Sequence, residues 1–104
     1  MELAKLGRFA DPAVLILSSL AGGEKHGYAL VQDIDQFAGV RLGPGTLYGA
    51  LSRLEQRGLV EALPADDRRR PYRLTAQGAA ALHEHLQHAR TVVEVGLRRL
   101  AGAT

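Results

Sequence analysis

Residues 43–60 read GPGTLYGALSRLEQRGLV, and this stretch decides the fold. Pro44 stands where a helix takes its first residue, Leu47, Leu51 and Leu54 recur on one stripe, and Gly58 closes the helix just past Arg57. With those leucines facing a core, the opposite face carries Gly45, Thr46, Gly49, Ser52, Arg53 and Gln56, with Tyr48 on its flank. These side chains are small, hydroxyl-bearing or basic. Free backbone N–H groups and the helix dipole at Gly45-Thr46 attract a phosphate. Small residues allow close approach of a nucleic-acid backbone, and Arg53 and Gln56 have the reach for a base edge or a phosphate. A merely solvated helix face has the same composition, so the surrounding chain must decide between the two.

Toward the N-terminus, Leu30, Val31, Ile34, Phe37 and Ala38 recur at helical spacing from about His26-Gly27, and Gly39 ends that run. Glu24-Lys25 reads as a turn before it. Asp11-Pro12 is an N-cap followed by a first-turn proline, opening a helix of Val14, Leu15, Ile16, Leu17 and Leu20 that Gly22-Gly23 stop. That helix is apolar on most sides, which places it centrally or at a subunit contact. Beyond Gly58 the period changes. Leu59–Leu63 and Pro71–Leu74 read as two strands of a hairpin whose polar tip is Pro64–Arg70. Thr75 caps a last helix running from Ala76 to about Leu100, roughly 37 Å at about 1.5 Å per residue.

The expected fold is mainly α with a small β-hairpin: a winged helix-turn-helix plus a long C-terminal dimerisation helix. Residues 1–75 form the DNA-binding unit, with helices at about 11–21, 26–38 and 44–57 and the wing at 59–74. Residues 76–104 are the C-terminal helix of the same single domain.

Charge placement supports a nucleic-acid partner. The 104 residues carry 13 Lys+Arg against 11 Asp+Glu, net +2, so the basic excess is slight overall. From Arg41 to Thr75, however, seven basic residues face four acids, while the first forty residues are net −2. Arg68, Arg69, Arg70 and Arg73 gather at the hairpin, where arginines follow phosphates or enter a narrow minor groove. A protein-only adaptor on the same fold is the main rival, and it has no need of clustered wing arginines.

Other classes are poorly supplied. There is no cysteine, which excludes disulfides, thiol catalysis and Cys-type zinc sites. No apolar run approaches the roughly 18 residues of a membrane span. Met1-Glu2-Leu3-Ala4-Lys5 lacks a basic region leading into an apolar stretch, so a secretory leader is not expected and the cytoplasm is. No serine stands in a nucleophile elbow and no enzyme is expected. Gly43, Gly45 and Gly49 miss the dinucleotide-binding spacing by one. His83, His85 and His88 with Glu84 make metal sensing an alternative, against a solvated helix face, and no metal site or cofactor is assigned.

The strings HGYAL at 26–30, GPGTLYGALSRLEQRGLV at 43–60 and RRRPYRLTAQG at 68–78, taken in order, resemble the PadR-type transcriptional regulators. The resemblance covers about Ala13 to Ala81. It implies a winged-helix homodimer on a palindromic operator in double-stranded DNA, usually as a repressor. It carries DNA-contact roles to Tyr28, Thr46, Tyr48, Arg53 and the wing arginines. Two departures bear on operator sequence: Gly43 stands where the family usually has Ser, and Gly49 where it often has Pro. Some short members hold flat aromatic ligands beside a tryptophan; this chain has no Trp, so that mode does not transfer and a small-molecule effector stays open.

The last helix suggests the oligomer. Ala79, Leu82, Leu86, Ala89, Val93, Gly96 and Leu100 alternate by three and four, as a coiled-coil seam does. The first part of the stripe is expected on its own domain. From Leu86 onward the helix outruns so small a body, giving a two-fold seam of Leu86, Ala89, Val93, Gly96 and Leu100, joined by Val14 and Leu17 of the first helix. A dimer would set two reading helices about 34 Å apart, one DNA turn.

Overall fold

The computed structural model describes residues 11–103. The Met1–Lys5 opening, read above as no secretory leader, lies outside the described residues, as does the rest of 1–10. The elements run α1 (Pro12–Leu20), β1 (Lys25–His26), α2 (Gly27–Ala38), α3 (Pro44–Gln56), β2 (Val60–Ala62), β3 (Pro71–Leu74) and α4 (Ala76–Gly102). This is the expected winged helix with its long last helix.

Each helix begins where the residues dictate. The Asp11 side chain accepts a hydrogen bond from the Ala13 amide at 2.8 Å, with Pro12 in the first turn of α1. Pro44 opens α3 behind Gly43, which caps it with backbone alone. Gly39 ends α2 in the left-handed conformation, φ 67°.

The core is one cluster centred on Ile16, Leu30, Ile34, Leu47, Leu51 and Val60. Each such side chain contributes about 1.5–3 kcal/mol on burial. α1 runs through its middle, so Leu17, expected at the subunit seam, is only 6% exposed and belongs to the chain's own core. Phe37 goes the other way. It continues the stripe of Leu30 and Ile34, but the helix overruns the core there and its ring is exposed.

The sheet has three antiparallel strands in the order β1-β3-β2, not the two of a lone hairpin. Lys25, expected in a Glu24-Lys25 turn, and His26, expected at the start of the second helix, instead form a strand that pairs with Tyr72 and Pro71 of β3. Lys25 is anchored there by donating from Nζ to the Ser19 carbonyl, while the buried Ser19 Oγ donates to Asp33 at 2.6 Å. At the wing tip, Asp66 and Arg69 exchange both backbone hydrogen bonds around Asp67 (φ 49°) and Arg68 (φ 68°). Two consecutive left-handed residues match the twist of the strands.

Thr75 joins the wing to α4. Its Oγ1 donates to the Gly58 carbonyl at 2.7 Å and accepts from the Gly78 amide at 2.9 Å, and its own amide donates to the Leu59 carbonyl. Gly78 rests directly on Leu59: a Cβ there would lie 2.0 Å from the Leu59 carbonyl oxygen. Leu82 is the last residue of α4 buried in the core. From Leu86 on the helix leaves the body. The longest extent is 56 Å and the radius of gyration 15.6 Å, against about 13 Å for a 100-residue globule.

Candidate nucleic-acid interface

α3 buries Leu47, Ala50, Leu51 and Leu54 and leaves Gly45, Thr46, Ser52, Arg53 and Gln56 exposed, with Gly49 half-buried. The face expected from spacing is therefore the one that faces outward. Two clefts flank it.

The first cleft, about 320 Å³, gathers Tyr28 from α2, Tyr48 from α3 and Arg68, Arg69 and Arg70 from the wing. Residues forty positions apart in the chain thus line one basic, aromatic surface. Tyr48 reaches it by lying over the start of α2: a Cβ on Gly27 would fall 2.3 Å from the Tyr48 hydroxyl. Tyr28 accepts a hydrogen bond from the Gln32 amide nitrogen one turn on, at 3.0 Å. The second cleft, about 660 Å³, lies on the α1 side and gathers Gly45, Thr46, Arg53 and Arg57 against the first turn of α1.

Arg73 joins neither cleft. On β3, side chains alternate between faces. Tyr72 and Leu74 pack on the core, while Arg73 is exposed and ion-paired with its cross-strand neighbour Glu61. Its proximity in sequence to Arg70 did not translate into a shared surface.

Among the polar and ionisable side chains of the clefts, four escaped the sequence reading as interface candidates. His26 and Tyr72 line the first, Asp11 and Arg57 the second. Burial pushes the Tyr72 phenol above its ordinary pKa, the Glu55 carboxylate and Tyr48 add to the rise, and Arg70 opposes it. Strand parity flags Tyr72, because it shares a face with Leu74. For Asp11 and Arg57 the signal exists only in three dimensions.

His83, His85 and His88 stand exposed along α4. Among the described residues no three His, Asp or Glu side chains converge on a point that would hold a metal ion. No helix among them is long and apolar enough to cross a membrane.

Helices α1–α3, a three-stranded sheet and a basic, tyrosine-lined cleft beside the exposed face of α3 define a winged-helix protein. The transcriptional regulator PadR-like family matches residues 16–84, and the chain belongs to that family. Its members are regulators rather than enzymes. The chain is 47% identical over 72 residues to the transcriptional regulator Rv3488 of Mycobacterium tuberculosis, covering 66% of each. It is 49% identical over 75 residues, 72% of its length, to an uncharacterized 37.1 kDa protein in transposon TN4556 of Streptomyces fradiae, and spans 22% of that protein. The chain thus spans less than two thirds of these relatives. Among solved structures, a PadR family transcription regulator from Clostridium difficile R20291 superposes with a TM-score of 0.77 at 26% identity, over 90% of this chain and 99% of that one.

Proposed function

We propose that the chain binds double-stranded DNA sequence-specifically as a cytoplasmic homodimer on a palindromic operator, and that it represses transcription. The observation that carries this reading is the meeting of Tyr28, Tyr48 and Arg68–Arg70 in one cleft beside the exposed start of α3. Residues up to 75 form the reading head, and α4 joins two heads. Arg53 and Ser52 meet base edges or phosphates, Gly45, Thr46 and Gly49 admit the backbone, and the three wing-tip arginines hold the flanking phosphates. Arg73 is left out because Glu61 already holds it. The seam is Leu86, Ala89, Val93, Gly96 and Leu100, with Val14 beside it; Leu86, Val93, Gly96 and Leu100 are exposed, and Ala89 and Val14 are half-buried.

Fluorescence anisotropy of the full chain against duplex DNA from upstream of its own gene, beside a scrambled duplex and at several salt concentrations, tests the reading. Tight selective binding at two protomers per duplex is expected. No binding to either duplex at low salt would overturn it and favour a protein-only adaptor.

A further inference from the structure

A third cleft opens in the reading head, and its chemistry is unlike the other two. It has a volume of about 560 Å³ and lies between the first half of α2 and the start of α3. Val31, Leu42 and Leu47 floor it, and Tyr28 and Tyr48 wall it toward the wing. Arg41 stands at its edge, with no ion pair among the described residues. No Asp or Glu lines it.

We propose that this cleft binds an organic anion with an apolar body the size of one or two rings, and that its occupancy excludes DNA. The volume falls within the roughly 300–1,000 Å³ of small-molecule sites, which combine an apolar lining with a few polar groups. Leu42 and Leu47 are side chains of the core whose outer edges form the floor, so the surface is preformed. Tyr28 and Tyr48 are 67% and 51% exposed and offer ring surface to an apolar body. The guanidinium of Arg41 selects a negative headgroup and disfavours a cation. A phosphodiester backbone gains nothing from an apolar floor and is better served by the arginines on the other side of Tyr48. Because Tyr28 and Tyr48 line both this cleft and the basic one, a molecule wedged against them displaces the surface that DNA would use. The exclusion of DNA rests on the function proposed above; the ligand site does not.

The test is a titration of the full chain with 1-anilinonaphthalene-8-sulfonate, followed by fluorescence without DNA. Saturable binding is expected. Arg41→Gln should weaken it about tenfold, the loss of one charge-assisted contact. N-phenyl-1-naphthylamine, the same rings without the sulfonate, should lose a similar factor on the parent chain. Val31→Phe, which fills the floor, should abolish binding; Arg41→Gln, on the surface, keeps the test decisive if that variant fails to fold. Dye binding unchanged in both variants would overturn the site and place the dye on the exposed face of α4. With labelled duplex, the dye should release DNA from the parent chain and not from Val31→Phe. A dye that binds as expected yet leaves the duplex bound would overturn the exclusion of DNA. A duplex that never binds would count against the proposed function while the dye titration still decides the site.

Discussion

Position 78 tolerates no side chain without moving backbone, since the added carbon would meet the Leu59 carbonyl. Gly78→Ala should cost about 2–4 kcal/mol, at or above the usual range for overpacking, read as a lower urea midpoint at unchanged slope. Gly49 is the opposite case. A Cβ there meets only the tip of Arg53, at 3.6 Å. Gly49→Ala should therefore stabilise the fold by about 1 kcal/mol while weakening operator binding, because the new methyl stands on the face that DNA approaches. Both glycines are equally plain as letters. Only the packing tells that the fold demands the first and leaves room at the second. Tyr72 gives a pH test. Its phenol ionises less readily folded than unfolded, so the unfolded chain binds fewer protons near its pKa and stability falls as pH rises through and above about 10. Tyr72→Phe should flatten the alkaline limb of a urea-midpoint profile.

Among the elements, the three main helices were legible because proline, glycine and leucine mark both ends and the buried face of each. Strand β1 was not. It is two residues long, has no alternation of its own, and exists because Tyr72 and Pro71 pair with it. The wing arginines were legible as a cluster, but their division was not: strand alternation turns Arg73 away, while the left-handed tip brings Arg68–Arg70 round toward Tyr48. Replacing Arg69 and Arg70 together by alanine should lower the slope of log affinity against log salt by up to about 2. Arg73→Ala should leave that slope unchanged, and the anisotropy titration reads both.

At the scale of the molecule, α4 leaves Leu86 (43% exposed) through Leu100 (69% exposed) open beyond Leu82, the last of its side chains in the core. The three-four spacing marked this stripe in the sequence. It missed Val92 and Leu97, which lie beside the strict seam and are exposed as well. The seam's reach onto α1 was misjudged at Leu17, because an all-apolar helix looks the same whether its own core or a partner surrounds it. Leu86→Asp should give a chain that sediments as a monomer, with an unchanged helical signal by circular dichroism.

The joint at Thr75 and Gly78 also has a mechanical meaning. Beyond it, α4 is a lever of about 40 Å at 1.5 Å per residue. A tilt of about 5° at that joint swings the far end by roughly 3.5 Å, close to the rise of one base pair. In the proposed dimer, the spacing between half-sites would therefore be set where Thr75 and Gly78 fix the helix to Gly58 and Leu59, far from any base it would touch.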